Sequence, residues 1–210
     1  MKKLLLYIGM LSGALACSRS PETLRTGDLL FQIGSESAMS GAIAAATGRN
    51  GTPKFTHVGI AVCCTGADSV LEATSPGGVR MTALNAFLGK SASIEGCPAV
   101  VAMRLKDTAG VAAAVARARS FMGQPYDYSY RPDNGRMYCS ELVWESYRTP
   151  DGYPIFPARP MNFRAADGTM PPFWIELFER LGEDIPEGVA GTNPADMARD
   201  PALTEVRRWF

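Results

Sequence analysis

The strongest alternation of apolar and polar positions lies in FTHVGIAVCC, residues 55–64. Side chains of a strand point to opposite faces in turn, so Val58, Ile60, Val62 and Cys64 share one face and His57, Gly59, Ala61 and Cys63 the other. Apart from the histidine, the second face carries only small side chains. A close neighbour is therefore expected there, and a helix suits a flat surface of that kind. CTGADS reads as a turn and SVLEAT as the return strand of a hairpin. SPGGVRMT continues as a turn and a short strand. Upstream, TGDLLFQIGS predicts a buried strand over Leu29–Ile33, opened by the turn residues Gly27 and Asp28. PAVVAMRL is apolar on both faces and predicts an interior strand.

Other segments change to a helical period. SAMSGAIAAATG predicts a short helix ended by Gly48. DTAGVAAAVARARSFMG predicts a longer one, capped by Asp107 or Thr108 and ended by Gly123, with Val111, Val115, Ala118 and Met122 as its stripe. After the tyrosine-rich loop QPYDYSYRPDNGRMY, the segment CSELVWESYR predicts a helix beginning near Cys139, with Leu142, Val143 and Tyr147 on its apolar face. From about Thr149 the chain is rich in proline and glycine, with one amphipathic stretch, PFWIELFERLG. It is expected to wrap the domain as loops and short helices. The mixture predicts an α+β fold with a single domain over residues 27–210.

Composition narrows the function classes. Of 210 residues, 46% are hydrophobic, and Lys plus Arg equals Asp plus Glu at 21 each. There is no basic excess to neutralise phosphates, so nucleic acid is not an expected partner. Residues 1–16 combine a positive start (MKK), an apolar run and the small-residue pattern Ala14-Leu15-Ala16, which together predict a secretory signal peptide. The apolar run is shorter than the ~20 residues of a membrane-spanning helix. ALAC marks Cys17 as a candidate for lipidation, and hence for membrane attachment, although the same letters fit ordinary cleavage. Residues 17–26 then read as a tether, and the expected location is the bacterial cell envelope. Losing residues 1–16 removes two lysines and leaves 19 basic against 21 acidic side chains. An oxidising compartment permits disulfides. If Cys139 stays free, Cys97 is left to pair with Cys63 or Cys64. With one histidine and no paired C-x-x-C spacing, a metal site has little support, and no cofactor is expected.

The chemistry-bearing positions are few. A nucleophilic thiol must ionise, and a helix N-terminus beside a histidine favours that. Cys139 opens a helical pattern, and first-turn amides there can also hold an oxyanion. The base falls to His57, the only histidine in the chain. A base needs an orienting partner. Glu72 is the charged outlier of SVLEAT, one hairpin from His57; Asp28 and Asp127 are rivals for that role.

The segments GDLLF, FTHVGIAV, VLEAT with GGV after it, GQPYDYSY and YCSELVWESY, in that order, resemble the permuted papain-like cysteine amidases of the YiiX/YaeF group. That group is related to the NlpC-type cell-wall peptidases and, more distantly, to the lecithin:retinol acyltransferase class. The resemblance spans roughly Gly27 to Tyr147. It implies a small antiparallel sheet or open barrel packed against the nucleophile helix, with Cys139 as nucleophile, His57 as base and Glu72 as third member. It also implies that Tyr126 and Asp127, in the PYD segment, lie near the site, with Tyr126 and Tyr138 lining a pocket. The expected substrate is an amide in an envelope peptide or an acyl amide. Two alternatives are a lipid-directed acyltransferase or thioesterase, with Phe173, Trp174 and Phe178 bordering an acyl pocket, and a non-catalytic envelope binding module.

Overall fold

The computed structural model describes residues 22–210. The signal peptide and Cys17 predicted above lie outside the described residues. The first half of the chain forms β1 (Leu29–Gln32), α1 (Ala38–Thr47), β2 (His57–Val62), β3 (Ser69–Thr74), β4 (Gly78–Ala83) and α2 (Leu84–Gly89). Two short strands, β5 (Ser93–Ile94) and β6 (Cys97–Pro98), precede β7 (Val100–Leu105). Then come α3 (Val111–Ser120), α4 (Cys139–Ser146), β8 (Arg159–Pro160), α5 (Pro172–Leu181), β9 (Ala190–Gly191), α6 (Pro194–Met197) and β10 (Leu203–Arg208). The main sheet is antiparallel throughout, in the order β10-β7-β1-β2-β3-β4.

Each face of this sheet buries its own apolar layer. On one side Phe31, Val58, Ile60 and Leu71 pack with Cys139, Leu142 and Val143 of α4. On the other, Leu30, Ala61, Val70 and Ala102 pack with Phe87 of α2 and Trp209. Each fully buried aliphatic side chain of this kind contributes about 1.5–3 kcal/mol. The hairpin prediction holds, with Ile60 opposite Leu71 and Ala61 opposite Val70. A helix does cover the small-residue face, as expected, and that helix is α2. The small-residue face does not receive the nucleophile helix; Phe87 occupies it. A Cβ added at Gly59 would lie 2.4 Å from Val70 Cγ1 and 3.3 Å from the Phe87 ring. The nucleophile helix packs instead on the Val58–Ile60 side, where larger side chains fill the volume between helix and sheet.

Three further expectations are corrected. Helix α3 begins after Gly110, whose φ of 83° only glycine adopts freely, so neither Asp107 nor Thr108 is its cap. Asp107 instead accepts the Ala109 N–H in the preceding turn. Met122 is 48% exposed, and the buried stripe of α3 stops at Ala118. The C-terminal region is more than loops and short helices, because β10 adds the sixth strand and pairs with β7. Residues 22–26, expected within a tether, dock on the sheet: Leu24 is buried, and Arg104 binds Glu22, the Thr23 carbonyl and both Asp28 oxygens.

Candidate active site

His57 is the first residue of β2, at the end of the sheet reached by the N-terminus of α4. Continuing the β2–β3 register places Glu72 beside Gly59, so the carboxylate lies diagonally across from His57 on one face. Because Gly59 has no side chain, nothing stands between them. His57 Nε2 and Glu72 Oε2 are 2.6 Å apart. The Glu72 side chain is 1% exposed, and a carboxylate so buried needs partners. Its second oxygen, Oε1, accepts a hydrogen bond from Thr82 at 2.6 Å and faces Lys90 Nζ at 3.8 Å.

Cys139 is buried and begins α4, where the first-turn amides have no partner within the helix. The Tyr138 N–H donates to Glu141 Oε2, closing that turn. The thiol stands against the His57 ring and acts on its protonation. Burial alone would lower the imidazole pKa. Hydrogen bonding to Cys139 and to Glu72 outweighs burial and raises it to about 10. Burial opposes the Glu72 charge as well, yet the bonds from His57 and Thr82 hold that carboxyl below its ordinary range. Glu141, by contrast, is pushed up to about 8 by burial.

Two clefts meet here. Cys139 opens into one whose walls are Ile43, Tyr126, Tyr130, Tyr138, Met161, Phe163 and Trp174. His57 and Glu72 open into the other, edged by Gln32, Ser35, Ser37, Ser40, Thr74, Ser75 and Lys90. Ile43, Thr56 and Tyr126 belong to both and form the partition. Tyr126 and Tyr138 both line the first cleft, and burial pushes both phenols above their ordinary range. Trp174 lines the first cleft, whereas Phe178 packs behind it and Phe173 stands at the edge of the same aromatic cluster.

Asp127 is placed differently from expectation. It borders neither cleft, and its carboxylate is taken up by the Ser129 N–H, the Ser129 hydroxyl and the Arg131 N–H, which hold the tyrosine-rich loop in shape. Asp28 is likewise committed to Arg104, so of the three acidic candidates only Glu72 reaches His57. Cys63 and Cys64 are free thiols, and neither is bridged to Cys97. Burial and the neighbouring Asp68 raise the Cys63 pKa to about 11. Among the described residues, no group of three or more His, Cys, Asp or Glu side chains could hold a metal ion. Thr82, Thr56 and Met161 were not anticipated; nothing marks a strand threonine or a loop methionine as functional before its neighbours are known.

A helix-borne cysteine, a strand-borne histidine preceding it in the chain and a buried glutamate on the next strand are the arrangement of a papain-like hydrolase with permuted order. Residues 23–207 match the permuted papain-like amidase enzymes of the YaeF/YiiX family, and the chain belongs to that family, a family of cysteine hydrolases. The chain is similar to the uncharacterised protein YiiX of Escherichia coli, with 29% identity covering 100% of this chain and 98% of that protein. It is also similar to a crystal structure described as the metalloprotein YiiX from Escherichia coli, with a TM-score of 0.70 and 28% identity over 88% of this chain and 97% of the other.

Proposed function

We propose that this hydrolase cleaves an amide through an acyl-enzyme formed on Cys139, with His57 as the acid–base residue and Glu72 as its orienting partner. The observation that carries the reading is the contact of one imidazole with both a buried carboxylate and the thiol at the start of α4. Glu72 occupies Nε2, which leaves Nδ1 for the sulfur. The protonated ring is the counter-ion a thiolate needs. Cys139 attacks the carbonyl carbon, the oxyanion forms beside the α4 amides, and His57 gives its proton to the departing nitrogen. Water, deprotonated by the now neutral His57, then releases the acid. Labelling of Cys139 by a thiol-directed probe that disappears in His57→Ala supports this chemistry; an inert Cys139 in the folded protein refutes it.

The same geometry favours a substrate with an apolar acyl side. The carbonyl carbon must sit at Cys139, against the aromatic cleft, and the leaving nitrogen at His57, against the hydroxyl-rich one. An acyl amide suits that division better than a peptide that is polar on both sides. A lipid-directed acyl transfer on the same site is the second reading, favoured by the aromatic walls alone. Hydrolysis of N-acyl amino acids in preference to cell-wall peptides is the expected result; the reverse preference overturns the acyl assignment.

We also propose that the chain is exported, that residues 1–16 are removed, and that Cys17 carries the lipid. A mature protein whose mass lacks acyl chains excludes the anchor. A metal is described for the Escherichia coli relative, but the donor set here does not fit one at Cys139. Both Glu72 oxygens are already bonded, and His57 is the only imidazole. No step is assigned to a metal.

A further inference from the structure

Glu72 has two oxygens, and the proposed chemistry employs one. Oε2 meets His57 Nε2, while Oε1 accepts from the Thr82 hydroxyl at 2.6 Å and lies 3.8 Å from Lys90 Nζ. Thr82 is buried, whereas the Lys90 side chain is 51% exposed. A short hydrogen bond from a buried hydroxyl to a carboxylate is strong, while a longer ion pair at the surface is weakened by solvent. Strand register fixes the Thr82 contact. Val70 pairs with Thr82 and Glu72 with Arg80, so Thr82 is the diagonal neighbour of Glu72 on the same sheet face. Held by His57 alone, the carboxylate could pivot about its last side-chain bond; held at both oxygens, it cannot.

We propose that Thr82 is a positioning residue of the active site, fixing the plane and charge of the Glu72 carboxylate so that His57 stays protonated and directed at Cys139. This rests on the Cys139–His57–Glu72 reading and extends it by one strand, so that the chain of contacts runs from β4 through β3 and β2 to α4. Thr82 touches no substrate and acts only through Glu72.

The test needs no substrate. Iodoacetamide alkylation of the full chain is followed at Cys139 by mass spectrometry across pH 4–10, in wild type, Thr82→Val, Thr82→Ser and His57→Ala. Loss of the Thr82 donor makes Glu72 easier to protonate. In Thr82→Val the acid limb of Cys139 reactivity should therefore move up by about one pH unit, with a roughly tenfold slower reaction on that limb. Thr82→Ser should restore both. A Thr82→Val profile that overlays wild type overturns the proposal, as does a lower melting temperature with an unmoved limb. If valine prevents folding, Thr82→Ala against Thr82→Ser provides the same comparison. A wild-type profile unchanged by His57→Ala refutes the catalytic reading itself; a His57 effect beside a silent Thr82→Val refutes only the role of Thr82.

Discussion

The two sides of the Cys139–His57 pair are built largely from different parts of the chain and from different chemistry. The His57 side comes almost wholly from the first ninety residues: strands β2 to β4, α2, and a cleft edge of serine, threonine and lysine. The Cys139 side takes Ile43 from α1 but most of its walls from the tyrosine-rich loop and from Met161, Phe163 and Trp174, beyond the nucleophile helix. On the first side, hydrogen bonds fix the position of a charge. On the second, packed rings define a volume. In the reaction proposed above, the first side would govern whether a bond can be broken, and the second which molecule presents it.

Substitutions can separate these roles. Cys139→Ala and His57→Ala should each reduce hydrolysis by about 10³-fold or more while the far-ultraviolet spectrum and melting curve stay close to wild type. Full activity in either would erase the distinction. Glu72→Gln keeps the shape but removes the charge, and a loss of about 10²-fold in kcat with little change in KM is expected from steady-state kinetics. Phe163→Ala, on the Cys139 side, should raise KM for an apolar acyl amide and lower stability by about 3 kcal/mol in urea titration, since this ring packs against Tyr130, Trp174 and Phe178. A change confined to kcat would blur the two sides.

Proton linkage gives a gentler probe. The His57 pKa is raised from 6.5 to about 10, so its contribution to stability is complete below pH 6.5 and is lost as pH rises towards 10. Glu141 is raised from 4.5 to about 8 by burial, so its ionisation opposes folding increasingly across that interval. Glu72 is lowered, and its contribution disappears below pH 4.5. Stability should thus decline from pH 4.5 to 10, and above pH 6.5 less steeply in His57→Ala. Glu141→Gln should gain stability at pH 8 while leaving the rate of Cys139 alkylation unchanged.

Much of the His57 side was readable in advance, because strand alternation is a local property. Residues 57–62 and 69–74 gave a hairpin, and a single charge in an apolar strand pointed to Glu72. Alternation says which residues share a face, however, and not what lies on it. The small-residue face went to Phe87, from a helix with no marked periodicity. The strand Leu203–Arg208 carries no clear alternation, for a related reason. A bulge between Glu205 and Arg207 shifts its register, so Leu203 and Val206 are both buried three residues apart, which breaks the alternation that marks a strand. The Cys139 walls were the least legible. Their members lie as far apart in sequence as Ile43 and Trp174, and only tertiary packing brings them together.

The docking of residues 22–28 onto Arg104 sets the direction of the whole molecule. In the β1–β7 ladder Leu29 stands opposite Met103 and Gln32 opposite Val100, while Gln32 also faces His57 across β1–β2. Residues 22–28 therefore lie at the far end of the sheet from Cys139, about a strand length away at ~3.3 Å per residue. Moored through the lipid proposed at Cys17, the protein would hold its clefts outward, away from the mooring.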